Sequence, residues 1–227
     1  MPEKWAIGLA VEGDLRFLSH HDMMRLMERL LTKADLPLRF SQGFNPRPIL
    51  SLVAPRPVGV GSTCDLLTVS LDSPPADDFL HSLNAVAPQG LRFIQAGATV
   101  KKAPQPLLAD YELRLTPEQI PAVTDRLAEL ENEPAWPIER TSGKARRTSK
   151  TIDLKPLVHS MAISADVLHV QLQPEGDRWA KPAELMRLLG LDERGDLARL
   201  TRTAMQWANL GSPQDASPAR RRDAEQD

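Results

Sequence analysis

The clearest helix in the sequence lies in residues 19–37, which read SHHDMMRLMERLLTKADLP. Ser19 is a favourable N-cap, and Asp22 follows three residues later in a pattern like a capping box. Pro37 predicts the end of the helix, because proline disfavours helical backbone before it and lacks an N–H. The apolar residues that recur at helical spacing are Met23, Met27, Leu30 and Ala34. These residues predict an amphipathic helix that packs on a core.

Segments on both sides of this helix complete a β-α-β-β-α-β order. Their patterns predict strands at residues 5–11, 49–54, 65–71 and 91–96 and a second helix at 74–87. This order is typical of a ferredoxin-like unit, in which an antiparallel sheet carries both helices on one face.

A similar but less regular order follows a proline-containing segment. Strands are predicted at residues 111–115 and 167–172 and helices at 117–130 and 182–189. The predicted fold class is therefore α+β, with two tandem ferredoxin-like (β-α-β-β-α-β) modules that have antiparallel sheets. The predicted organisation is a first module at residues 1–100, a linker at 101–109, a second module at 110–210 and a disordered tail at 211–227.

The composition restricts the class of protein. With 227 residues, 41% of them hydrophobic and 26% charged, the chain is long enough to form one large or two small globular domains. Its formal net charge of -2 gives no overall reason to expect nucleic acid as a partner. Any electrostatic argument therefore depends on how charge is distributed along the chain. Cys64 is the single cysteine, which excludes an internal disulfide or an iron-sulfur cluster held by this chain alone. We expect a cytoplasmic protein with no cofactor, no metal and no membrane partner.

The start of the predicted helix is the first candidate site. Its free N–H groups, with Ser19, His20, Arg25 and Arg29, could bind an anion. The alternative is a capped surface helix with ordinary ion pairs. His20 and Asp22 are candidates for general acid-base catalysis, although nothing in the sequence indicates a substrate.

Residues 41–48, which read SQGFNPRP, are the second candidate. Glycine permits a positive φ, the two prolines fix the backbone around Arg47, amide side chains can bind base edges or phosphates, and Phe44 could stack on a base. The candidate binding residues are Ser41, Gln42, Gly43, Phe44, Asn45 and Arg47. The alternative is a rigid connection in which Phe44 belongs to the core.

Residues 140–150 are the third candidate, because they contain five basic residues and no acidic one. The basic residues are Arg140, Lys144, Arg146, Arg147 and Lys150. Such a cluster is typical of phosphate contacts, and a solvated hairpin loop is the alternative.

These motifs together resemble the radical SAM-linked protein family, a bacterial domain of unknown function found beside or fused to radical SAM proteins. The resemblance rests on RFLSHHDMMR at residues 16–25, SQGFNPRP at 41–48, PVGV at 57–60, KTIDLKPLV at 150–158 and RLTRTAM at 199–205. It implies a radical SAM enzyme as a separate partner, since this chain lacks the three-cysteine cluster motif. His21 and Asp35 depart from the family pattern, where an aliphatic residue and a glycine are usual; Asp35 therefore predicts a helix end without a left-handed glycine.

Three functions remain open. The leading hypothesis is a non-catalytic RNA-binding or substrate-presenting accessory of an RNA-modifying or radical SAM enzyme, with the start of the helix, residues 41–48 and residues 140–150 as its contacts. We expect the helix and residues 41–48 to form one surface. The alternatives are a nuclease-like RNA-processing enzyme that uses His20 and a protein-interaction adaptor that binds no nucleic acid.

Overall fold

The structure, a computed structural model, describes residues 3–98, 104–142 and 148–209. These residues form ten strands and four α-helices. In chain order they are β1 (Glu3–Val11), α1 (His20–Lys33), β2 (Leu50–Val53), β3 (Gly61–Leu71), α2 (Phe79–Val86), β4 (Leu91–Ala98), β5 (Gln105–Arg114), α3 (Gln119–Asn132), β6 (Pro137–Ser142), β7 (Thr148–Asp153), β8 (Val158–Ser164), β9 (Val167–Leu172), α4 (Pro182–Leu188) and β10 (Thr201–Ala208). None of the described helices is both long and apolar enough to cross a membrane.

Eight of the strands form one sheet, in the order β4-β1-β3-β10-β5-β9-β8, with β2 also paired to β3. Every pairing in this sheet is antiparallel except that of β10 with β3, which runs through Gly61 and Ser62. The chain thus has a mixed α/β fold with a mostly antiparallel sheet, in agreement with the predicted α+β class. A separate sheet for each half was predicted. The strands of the two halves instead join, because β3 pairs with β2 along one part of its edge and with β10 along another.

Helix α1 forms as its sequence predicts. The N–H of Asp22 donates to Oγ of Ser19 at 3.2 Å, and that hydroxyl donates to the Asp22 carboxylate at 2.7 Å. The buried residues of the helix are Met23, Met27, Leu30 and Leu31. After the helix, Asp35 has a φ of 55°, so the left-handed conformation usual for glycine is present without glycine.

The core consists of two clusters, one in each half. The first includes the buried face of α1 and alternate residues of β1 and β3, such as Ile7, Leu9 and Leu67. The second packs α3 and α4 against β5 and β9, with Leu113 and Leu168 fully buried. Because strands alternate their side chains between faces, these residues hold the helices to the sheet.

Strand β5 begins inside the predicted linker at residues 101–109. Within the predicted linker, residues 105–109 already belong to β5, whose Ala109 is buried. Alternation at the start of this strand is interrupted by Pro106, which obscures the pattern in the sequence. The predicted disordered tail at 211–227 lies outside the described residues.

Candidate functional site

Residues 41–48 form a loop that is closed at its base. The N–H of Ser41 donates to the carbonyl of Arg47 at 2.8 Å, and the N–H of Arg47 donates to Oγ of Ser41 at 3.1 Å. At the tip, Gly43 has a φ of 147°, which residues with a side chain rarely adopt. The loop is therefore held at both ends and requires glycine at its tip.

Phe44 lies at the tip of this loop and is fully exposed, at 106% of the reference area. Phe44 is therefore not a core residue, and that alternative for the loop is excluded. Gln42, Asn45 and Arg47 are also exposed. Phe40, at the base, is 45% exposed, so two aromatic rings lie on the same short segment of surface. Such apolar exposure is typical of a surface that contacts another molecule.

The segment around the loop is basic. Residues 36–64 contain three arginines and no acidic residue. Arg47 is exposed and forms no ion pair with any residue that the structure describes. Its charge is thus available for an anion.

The start of α1 and the 41–48 loop do not form one surface. Helix α1 has 14 residues and spans about 20 Å. Its N-terminal end follows residues 13–17, where the Arg16 carbonyl accepts from Gly59, just before β3 begins. The loop follows Arg39, whose N–H donates to Ser70 near the other end of β3. The two candidate sites therefore lie at opposite ends of the first half.

The side chains at the start of α1 are arranged as in an ordinary capped helix. Asp22 pairs with Arg25 at 3.6 Å, and both are more than half exposed. The rings of His20 and His21 contact each other, with their centres 5.9 Å apart. No group of three potential metal-binding side chains occurs among the described residues. Arg29 is exposed on the next turns of the helix.

The described residues of the basic segment belong to β6 and β7, which pair with each other, and Arg140 has a structural contact there. Arg140 donates from Nε and from a terminal nitrogen to the two carboxylate oxygens of Glu184, at 2.6 and 2.7 Å. The side chain of Glu184 is 6% exposed, so this pair fastens the hairpin to α4. Lys150 is exposed opposite Arg140 on β7. Lys144, Arg146 and Arg147 lie outside the described residues.

A buried ion network joins the two halves, and no sequence pattern indicated it. The Asp65 carboxylate accepts from Arg56 at 3.1 Å and from Arg202 at 2.7 Å. All three side chains are at most 4% exposed. Arg56 also donates to the carbonyls of Val60 and Leu15, which ties the network to the backbone at the start of β3. Arg202 lies 137 residues from Asp65 in the chain, so no local pattern could reveal their contact.

A cleft of about 300 Å³ lies beside this network, between the segment after β2 and the segment before α4. We call it the seam cleft. Its lining residues include Pro55, Tyr111, Trp179, Lys181, Arg202 and Met205. Burial raises the pKa of the Tyr111 hydroxyl, and nearby Arg202 partly opposes this effect. Burial likewise raises the pKa of the Cys64 thiol, which agrees with a structural rather than a reactive cysteine.

Comparison with known proteins gives a family but no reaction. A family model described as "Uncharacterized protein conserved in bacteria (DUF2344)" matches residues 4–187, which is most of the chain. No curated protein matches.

Proposed function

The chain belongs to the family of uncharacterized proteins conserved in bacteria (DUF2344), and we propose that it is a non-catalytic protein that binds single-stranded RNA at its 41–48 loop. The observation that carries this proposal is the complete exposure of Phe44. An aromatic ring on a protruding loop offers a flat face on which a base of any sequence can stack. Such stacking contributes about 1–3 kcal/mol per base.

The remaining side chains of the loop suit the same ligand. Arg47 is exposed and forms no ion pair within the part of the chain that the structure describes, so it can contact a phosphate. The amides of Gln42 and Asn45 can both donate and accept, as base edges require. The hydrogen bonds between Ser41 and Arg47 order the loop in advance, which lowers the entropy lost on binding.

The proposal extends to the architecture of the sheet. The first half has the spatial order β4-β1-β3-β2, and the second has β10-β5-β9-β8. If β6 and β7 are counted as an insertion, each half contributes four strands to the sheet. In both halves the spatial order is then the fourth strand, the first, the third and the second, as in a ferredoxin-like module. This likeness supports tandem modules, and it carries no function by itself.

The partner enzyme is also part of the proposal. RNA bound at the loop would be presented to a separate RNA-modifying or radical SAM enzyme, with the radical SAM partner resting on the sequence resemblance alone. The proposal includes a cytoplasmic location, because the protein would encounter such RNA in the cytoplasm. A nuclease that uses His20 has less support. His20 is exposed, and among the aromatic and imidazole rings that the structure describes, its ring contacts only that of His21.

The test is the binding of a fluorescent single-stranded RNA to the full chain, measured by anisotropy at low salt. We expect Phe44→Ala to weaken binding by about tenfold to a hundredfold, since one stacked base contributes about 1–3 kcal/mol. Phe17→Ala is the matched control, because Phe17 is also exposed, at 55%, but lies at the other end of the first half. Neither change should alter the free energy of unfolding appreciably.

Two results would contradict the proposal. One is the absence of RNA binding at low salt, and the other is equal binding by Phe44→Ala and the unaltered chain. If the protein, purified from cells, then carries a bound enzyme but no RNA, the protein-interaction adaptor replaces RNA binding as the proposed function. A decrease of affinity with salt is expected, because phosphate contacts release counterions.

A further inference from the structure

The seam cleft has the character of a binding site for a small organic anion. It lies where the two halves meet, near the start of β3, whereas the 41–48 loop lies near the end of β3. We infer that this cleft binds a molecule with one carboxylate or phosphate group on a small apolar body. This second site is independent of RNA binding at the loop.

The first argument is an excess of buried positive charge. Two guanidinium groups, those of Arg56 and Arg202, share a single carboxylate, that of Asp65. Burial lowers the pKa of Arg56, against the opposing effect of Asp65, and the charges of Arg202 and Arg16 lower it further. A buried charge without a counter-charge is costly. Of the two arginines only Arg202 lines the cleft, and an anion bound there would add a second negative charge beside its guanidinium, which already contacts Asp65.

The second argument is a buried arginine that lines the cleft and has one nitrogen without a partner among the described residues. Arg202 is 3% exposed and uses its terminal nitrogens to donate to Ala54 and Asp65, at 2.8 and 2.7 Å. Its Nε is buried and has no hydrogen-bond partner among the described residues. Buried donors in folded proteins are almost always paired. Arg202 lines the cleft together with Tyr111, whose hydroxyl interacts with the guanidinium, so an anion bound there would lie beside this pair.

The third argument is the chemistry of the other walls. Lys181 is exposed at the cleft and adds a second cation, and none of the described residues that line the cleft is acidic. Trp179, Met205 and Pro55 provide apolar surface, and the Tyr111 side chain adds a hydroxyl. Ligand pockets commonly combine apolar walls with a few polar groups in this way. The volume of about 300 Å³ is at the small end of their range and suits a molecule about the size of phenyl phosphate.

The inference is tested by calorimetric titration of the full chain with four probes: phenyl phosphate, benzoate, inorganic phosphate and benzyl alcohol. We expect phenyl phosphate or benzoate to bind more tightly than inorganic phosphate, which lacks the apolar body. Benzyl alcohol, which lacks the charge, should bind most weakly. Added salt should weaken the binding of the charged probes.

Two variants locate the site. Arg202→Gln removes the orphan donor, but it also disturbs the ion network, so its folding must be checked by circular dichroism. Lys181→Ala avoids this difficulty because its side chain is exposed; we expect it to weaken the anion by about fivefold to tenfold, as the loss of one nearby charge implies. Arg194→Ala is the matched control, an exposed cation of the same half that does not line the cleft.

Binding that depends on Lys181 but not on Arg194 supports the site. The inference is overturned if none of the four probes binds at millimolar concentration, if benzyl alcohol binds as tightly as benzoate, or if Lys181→Ala binds as the unaltered chain does. None of these results depends on RNA, so the two proposals fail separately.

Discussion

Replacing Asp65 by asparagine tests whether the buried ion network holds the two halves together. The substitution conserves shape but removes the carboxylate that accepts from both Arg56 and Arg202. Asparagine can accept through one oxygen, and its amide would then face a guanidinium with the wrong polarity. Two buried cations remain without a counter-charge.

The size of the effect follows from the burial of the three side chains, none more than 4% exposed. Removing one partner of a buried ion pair costs about 3–5 kcal/mol. A domain is stable by only about 5–15 kcal/mol in total, so the loss is a large share of the stability. Because Asp65 belongs to β3 and Arg202 to β10, the loss should also reduce the cooperativity between the halves.

Urea unfolding followed by circular dichroism measures this loss. The matched control is Asp166→Asn, because Asp166 also pairs with an arginine, Arg114, but their side chains are 40% and 73% exposed. Exposed pairs contribute about 0–1 kcal/mol, so the control should lose little. If Asp65→Asn loses no more stability than Asp166→Asn, the network does not stabilise the junction and the reasoning fails.

Two further predictions concern residues near the hairpin and the network. Arg140→Ala should lower the free energy of unfolding by about 2–4 kcal/mol, because Glu184 would stay buried without its arginine partner. Unchanged urea unfolding, together with weaker RNA binding, would instead show that Arg140 contacts phosphate. Cys64 should react with iodoacetamide more slowly than an unstructured cysteine at pH 7, because burial raises its pKa and so lowers its thiolate fraction. The reaction should accelerate as the pH rises, and a rate equal to that of a model peptide at pH 7 would contradict this prediction.

Local sequence was sufficient to predict helix α1 and the role of glycine in the 41–48 loop. Ser19 caps α1 because its hydroxyl reaches the N–H of Asp22 within one turn, and Met23 and Met27 face the core because helical spacing places them there. Gly43 marks the tip of the loop because few other residues tolerate its φ. Each of these features depends on residues only a few positions apart.

The environment of single side chains was less predictable. The pattern could not decide whether Phe44 was buried or exposed, because a loop has no periodicity that assigns a face. Arg140 looked like a phosphate ligand, since its acidic partner, Glu184, is distant in the chain. The choice between a free and a paired arginine depends on which element packs against it.

The sequence by itself determined the order of most helices and strands and the need for glycine at position 43 of the 41–48 loop, because both are set by interactions between near neighbours. Only the tertiary structure joined the halves into one sheet and brought Arg56, Asp65 and Arg202 together. The physical reason is that β3 leaves part of its edge free for β10, and pairing there buries charges that come from distant segments. The separation of α1's N-terminus from the loop was decided in the same way, by the length of a helix that runs from one end of the sheet to the other.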